Sequence, residues 1–296
     1  MKYVITGGAG HISKPLTEQL LKAGHQVTVI GRNAQNLKEL TDTGAKAAIG
    51  SVEDVPFLIK AFAGADAVYT MVPPNFAAPD IKAYIAQVGK NYAEAIRGNG
   101  IKYVVNLSSV GAHLPEGVGP VSGLFRVEQA LNALKDANIL HLRPAYFFNN
   151  FLSSIGMVKH MNIIGGNFGS PDAKLVLTNP ADIAEVAGEE LLSLKFKGHT
   201  IRYIASDERT TGDVAKVLGN AIGKPELPWV IFSDDQAVDG MVQAGLPNEI
   251  AINYRDMGQS IHNGKMFEDY WKNRPSLGKI KLEDFASVFA EAYKTS

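Results

Sequence analysis

The 296-residue chain contains no cysteine. That removes disulfides, thiolate nucleophiles, cysteine-ligated zinc and iron–sulfur clusters from consideration. A large charge of either sign is also missing, since 29 Lys and Arg stand against 30 Asp and Glu. Residues 1–150 carry 14 basic and 11 acidic side chains, and residues 151–296 carry 15 and 19. Neither half therefore generates the field expected of a nucleic-acid or membrane-surface binder. No segment reaches the roughly 18 consecutive apolar residues of a membrane span. The N-terminal run Met1-Lys2-Tyr3-Val4-Ile5-Thr6 breaks into glycine before a signal-peptide core could form. The seven histidines show no close metal-ligand spacing, and there is neither a G-x-S-x-G elbow nor a Walker lysine. These absences lead to the expectation of a cytoplasmic protein, monomer or homodimer, that binds a small molecule and no nucleic acid, membrane or metal.

What the chain does have is a core and an alternation. Hydrophobic residues make up 46% and charged residues 20%, enough to fold a sizeable interior. In the first half, strand patterns at Lys2–Thr6, Gln26–Gly31, Ala45–Ile49, Ala67–Val72, Lys102–Leu107 and Ile139–Arg143 alternate with apolar residues at helical spacing. Such β-α-β-α order predicts a doubly wound parallel sheet with helices on both faces. In the second half, Phe147–His160, Pro180–Leu194, Asp213–Ile222, Asp235–Ala244, Asn248–Ile261 and Leu282–Tyr293 read as helices. Thr200–Ala205 reads as a strand added to the same sheet, and Trp229–Phe232 as another short one. The expected division is a nucleotide-binding domain over 1–150, extended by the sheet region around 180–206. Residues 151–179 and 207–296 would form a smaller, mostly helical C-terminal substrate domain.

Chemistry is most legible at the first turn. The first strand runs straight into Gly7-Gly8-Ala9-Gly10-His11-Ile12-Ser13 and then a helix. Glycines allow a tight turn and let backbone N–H groups approach a pyrophosphate at a helix N-terminus. Lys14, a cation in the first turn of that helix, opposes the macrodipole unless an anion sits there. After the second strand, where NAD sites place a ribose-binding carboxylate, the chain reads Gly31-Arg32-Asn33, with no acid before Glu39. An arginine suits a 2′-phosphate, so NADP is favoured over NAD. Ser51 and Val52, after the third strand, are expected beside the adenine, with Ser51 also a candidate cap for the next helix.

The motifs T-G-G-A-G-H-I-S, G-H-Q-V-T-V-I-G-R, N-L-S-S-V-G-A and R-P-A-Y-F-F-N-N-F, with the later P-A-D-I-A-E-V-A, resemble the NmrA-like branch of the atypical short-chain dehydrogenases/reductases over about residues 1–190. The resemblance implies a Rossmann domain with NADP(H) and a smaller C-terminal domain closing a substrate cleft. Members include NADPH-dependent quinone and isoflavone-type reductases, and regulators that bind the dinucleotide without turning it over. One departure concerns catalysis. Active short-chain dehydrogenases resemble one another in a Tyr-x-x-x-Lys pair, and none of the ten tyrosines here has lysine four residues on. The region where the pair should open a helix reads Ser122-Gly123-Leu124-Phe125-Arg126-Val127-Glu128, and Val110 falls where the family's catalytic serine is expected.

Ligands of open α/β sheets bind outside the carboxyl ends of the strands. That places Met71, Val72, Pro73 and Ser108 against the cofactor, and Asn75, Val110, His113, Tyr146, Phe147 and Phe148 around the substrate. Tyr146 and His113 are the candidates for an acid or an orienting group. The expected activity is transfer of hydride from NADPH to a small, flat, apolar carbonyl or quinone without a Tyr-Lys pair. The alternative is a non-catalytic NADP-binding redox sensor.

Overall fold

The computed structural model describes all 296 residues. The first half forms β1 (Lys2–Ile5), α1 (Ser13–Lys22), β2 (Gln26–Gly31), α2 (Lys38–Asp42), β3 (Lys46–Ile49), α3 (Val55–Phe62), β4 (Ala67–Thr70), α4 (Ile81–Asn99), β5 (Tyr103–Leu107), α5 (Val121–Asn132) and β6 (Asn138–Pro144). The second half adds β7 (Tyr146–Phe147), α6 (Ile155–Met161), β8 (Ile164–Gly166), β9 (Lys174–Thr178), α7 (Pro180–Ser193), β10 (His199–Ile204), β11 (Asp207–Thr210) and α8 (Thr211–Ala221). It ends with β12 (Trp229–Ile231), α9 (Asp234–Gln243), α10 (Asn248–His262), α11 (Glu268–Lys272) and α12 (Leu282–Thr295). No helix is long and apolar enough to cross a membrane.

Seven parallel strands make the central sheet in the order β10-β6-β5-β4-β1-β2-β3. Strand order reverses between β1 and β4, which opens a crevice at their carboxyl ends. Side chains alternate between the faces. Tyr3, Ile5 and Tyr69 pack with α1 and α7, while Val4, Val68 and Val104 pack with α3, α4 and α5. The expected strand and helix starts follow local chemistry. Asn179 caps α7 by accepting from the Ala181 N–H, with Pro180 in the first turn. Thr210 and Asp213 form a reciprocal capping box at α8.

The C-terminal half contains more sheet than its apolar spacing suggests. β11, β9 and β7 form a three-stranded sheet, and β12 pairs with β8. The stretch expected to be helical from Phe147 begins as β7, turns through a 3-10 helix over Phe148–Ser154 and only then becomes α6. A third core gathers these elements around Phe148, Phe267, Tyr270, Phe285 and Phe289. The two halves touch backbone to backbone at Gly119, whose φ is +58°. A Cβ there would lie 2.0 Å from the Asn253 carbonyl oxygen of α10, so only glycine fits.

A polar chain crosses the sheet interior. The Thr70 hydroxyl donates to Asn106 Oδ1 at 3.0 Å, Asn106 Nδ2 to His141 Nδ1 at 3.1 Å, and His141 Nε2 to Asn132 Oδ1 at 3.0 Å. This pattern uses the neutral imidazole, protonated on Nε2. Burial lowers the His141 pKa from 6.5 to about 4, Glu128 opposing the shift. Unfolded chain therefore takes up a proton near pH 6.5 that the native state refuses until about pH 4. Stability is full above pH 6.5 and declines as pH falls, by about 3 kcal/mol from this residue alone. Urea unfolding from pH 7 to pH 4 should show this slope in the natural protein and a shallower one in His141→Gln. Parallel slopes would contradict the assignment.

Candidate functional site

The crevice is lined first by the β1–α1 turn. Gly7 and Gly8 have φ of +94° and +58°. A Cβ on Gly7 would come within 2.5 Å of Ser13 Oγ and 2.9 Å of Met71 Cγ. The Ser13 hydroxyl donates to the Thr6 carbonyl at 2.8 Å, and the Gly8 N–H to the Ile30 carbonyl at 2.9 Å, which ties the turn to β1 and β2. Ile12 and Ser13 are buried, and His11 is exposed. The N–H groups of Ala9, His11, Ile12 and Ser13 take no acceptor within the chain, and no side chain caps α1. Free N–H groups at the positive end of a helix form a cradle for an anion.

Arg32 follows this turn at the end of β2, exposed. The one nearby acid in sequence, Glu39, is spent on Lys14 at 2.5 Å, so Lys14 is not the free cation that its position suggested. That hydrogen bond to Glu39 also raises the Lys14 pKa. The β3–α3 loop is fixed next to it. Asp54, not Ser51, caps α3 by accepting from Phe57 N–H at 3.0 Å, while Ser51 Oγ accepts from Glu53 N–H at 3.2 Å. Asn91 of α4 donates to the Val52 and Glu53 carbonyls at 3.2 and 3.3 Å. On the other side of the crevice, Met71 is clamped. Its N–H donates to Thr6 Oγ1 at 2.8 Å and its carbonyl accepts from the Tyr92 hydroxyl at 2.7 Å. Val72, Pro73 and Asn75 continue as an open loop into α4.

Behind β5 and β6 lies a buried charge network that sequence reading missed. The Ser108 hydroxyl donates to Glu128 Oε1 at 2.5 Å, so it points away from the crevice. Arg143 Nε and Nη2 donate to the two Glu128 oxygens at 3.0 and 2.7 Å, with the side chains 5% and 3% exposed. Arg143 also donates to the Tyr203 hydroxyl at 2.9 Å and to the Ala112 carbonyl at 3.4 Å. Tyr203 in turn donates to Asp269 of α11. Burial works against the Arg143 charge, but the Glu128 hydrogen bonds and charge, with Tyr203, hold its pKa above the usual arginine value. A cation in the otherwise apolar strand Ile139-Leu140-His141-Leu142-Arg143 was the available signal.

His113 belongs to this side. Both ring nitrogens are buried without a partner. Burial depresses its pKa, against the pull of Asp269, and Arg143 adds to the depression. Tyr146 has different surroundings, 5.5 Å from both the Phe151 and Phe168 rings, and burial, then the Tyr254 hydroxyl, pushes its pKa far up. The structure thus does not gather the two acid candidates into one site. Phe147 and Met71 both pack against the core beside α1. Phe148 is fully buried and stacks on Phe285 at 5.5 Å, and Val110 is 3% exposed in the same core. They support the cleft wall from behind. Two further aromatic residues without a local sequence signal, Phe76 of the β4–α4 loop and Tyr254 of α10, meet with ring centroids 6.4 Å apart. At the start of α5, Ser122 is buried and Arg126 pairs with Glu116.

The sequence model of the NmrA-like family matches residues 2–260. Among curated proteins, an uncharacterized Schizosaccharomyces pombe protein is 38% identical over 68 residues, 23% of each chain. A UDP-glucose 4-epimerase of Streptomyces lividans is 28% identical over 122 residues, 38% of this chain and 37% of that one. The chain thus matches well under half the length of these curated relatives. Among solved structures, an NADPH-dependent quinone oxidoreductase of Escherichia coli in complex with NADPH superposes with a TM-score of 0.82 at 21% identity, covering 97% of this chain and 99% of that one. The Citrobacter sp. triphenylmethane reductase complexed with NADP(H) gives 0.79 at 21% identity, covering 98% and 100%. At such identities the likeness establishes the fold.

Removing one partner of a buried ion pair strands the other. Glu128→Gln should therefore cost about 3–5 kcal/mol of unfolding free energy. Replacing both partners by apolar residues, Glu128→Leu with Arg143→Met, should cost clearly less. A Glu128→Gln loss below about 1 kcal/mol, the scale of an exposed pair, would show that the network is hydrated.

Proposed function

The chain belongs to the NmrA-like family, and we propose that it is an NADPH-dependent oxidoreductase that reduces a small, flat, uncharged carbonyl or quinone. The observation that carries this reading is the cradle of free N–H groups at Ala9–Ser13 facing a loop with an unpaired Arg32. Residues present fit the dinucleotide. The N–H groups would hold its pyrophosphate, Arg32 its 2′-phosphate, and Ser51 and Val52 would border the adenine. Met71, Val72, Pro73 and Phe147 would press on the ring that reacts. When bound, NADPH supplies a hydride; the accompanying proton comes from water.

The chain's own contribution is orientation and exclusion of water. Tyr146, Phe168 and Tyr254, each part-buried, would offer flat faces against which a planar acceptor packs. The Tyr146 hydroxyl, held protonated by burial, has no lysine to lower its pKa, so it can donate a hydrogen bond but is poorly matched to shuttling a proton. A quinone tolerates this arrangement because its reduced form is a weak base that exchanges protons with solvent.

Two outcomes test the proposal. Arg32→Ala should weaken NADPH binding at least tenfold, about 1.4 kcal/mol, and leave NADH nearly untouched by calorimetry. Equal losses for both would assign Arg32 to the adenine or the fold. In NADPH oxidation assays across quinones and aldehydes, Tyr146→Phe should cost less than about a hundredfold in kcat/KM, the lower end of general acid catalysis. A loss above a thousandfold with NADPH binding intact would mean that a tyrosine acid operates after all. Tight NADPH binding with no turnover on any acceptor would favour the sensor instead.

A further inference from the structure

Two rings from opposite halves of the chain meet beyond the carboxyl end of β4, Phe76 from the β4–α4 loop and Tyr254 from α10. Phe76 lies between β4 and α4 and is 48% exposed. The turn is built, not loose. Asn75 Oδ1 accepts from the Ala77 N–H at 3.1 Å, the Asn75 carbonyl from the Ala78 N–H at 3.2 Å, and Asp80 caps α4 by accepting from Ala83 N–H at 2.9 Å. Opposite it, Tyr254 projects from α10, with the ring planes at 62° and the centroids 6.4 Å apart. That is edge-to-face geometry near the outer limit of contact, weak enough to open and re-form.

The helix that carries Tyr254 is anchored on both sides of it. Ile250 and Ala251 are fully buried, and the Asn253 carbonyl lies against Gly119. The Arg255 carbonyl accepts from Asn167 Nδ2 at 2.9 Å. Fixed backbones thus present two rings, and movement is left to the side chains. Arg255 pairs with Asp256 at 2.6 Å, and the Asp234 oxygens accept from Asn167 at 2.8 Å and Gln259 at 2.5 Å.

From this geometry we infer that Phe76 and Tyr254 form a gate that sets the upper size of the acceptor, admitting uncharged planar rings and slowing larger ones. The inference rests on the reading of the cleft as an acceptor site. It makes Phe76 a specificity-determining residue, one whose removal widens the entrance without touching the cofactor cradle.

The test is the association rate of a one-ring benzoquinone and of three-ring phenanthrenequinone with the NADP-saturated protein. Binding is followed by stopped-flow fluorescence of Trp229, whose ring lies 6.0 Å from Phe168. Phe76→Ala should raise the rate for the three-ring compound at least fivefold and change that for the one-ring compound less than twofold. Phe76→Tyr, which keeps the ring, should retain the natural discrimination. Equal changes for both compounds, or none, in a Phe76→Ala protein with natural melting temperature and NADPH affinity would overturn the gate. Binding of neither quinone would overturn both the gate and the acceptor site. Binding with the expected rate pattern but no turnover would leave the gate standing and sink only the reductase.

Discussion

One buried guanidinium holds the two halves of this molecule in register. Arg143 stands one residue from the end of β6, where the chain leaves the nucleotide-binding sheet for the cleft. Its five nitrogen-borne contacts reach Glu128 in α5, the Ala112 carbonyl after β5, Tyr203 in β10 and Asp269 in α11. Taking this charge out of water is costly, and the cost is offset only while Glu128 and Tyr203 keep their places. The pair therefore makes the angle between sheet and C-terminal elements a matter of all or nothing. Ala145, Tyr146 and Phe147, which follow directly, inherit their positions from it.

The same constraint keeps the strand ends ordered in a chain that contains no Tyr-x-x-x-Lys pair. In α5 the inward-facing polar group is Glu128, and it faces Ser108 and Arg143 instead of a substrate. Under the proposed function, aromatic faces from both halves, a clamped Met71 backbone and a glycine turn with free N–H groups orient the reactants. Chemistry compatible with such a site needs an acceptor that takes a hydride unaided.

Much of this was legible in the residues. The six strands of the first half followed from apolar runs between helical spacings, and the glycine turn from its place after the first of them. Less legible was the C-terminal half, for a physical reason. β7 has two residues and β8 three, too short to show a period of two, and β9 and β11 exist because they pair with each other. Tyr146, Phe147 and Phe148 illustrate the limit. A run of aromatics signals burial without saying on which side. The structure sends Phe147 to the α1 core, Phe148 to the C-terminal core and Tyr146 between Phe151 and Phe168. The meeting of Phe76 with Tyr254 joins segments far apart in sequence, which no local pattern encodes.

The central claim is that hydride moves in this cleft without a side-chain acid. Single-turnover oxidation of enzyme-bound NADPH by a quinone, measured by stopped-flow from pH 6 to pH 9 with protonated and 4-deuterated cofactor, tests it most directly. The account predicts a rate with a primary isotope effect and no dependence on pH across that range. A rate that falls with rising pH, with the fall abolished in Tyr146→Phe, would contradict it.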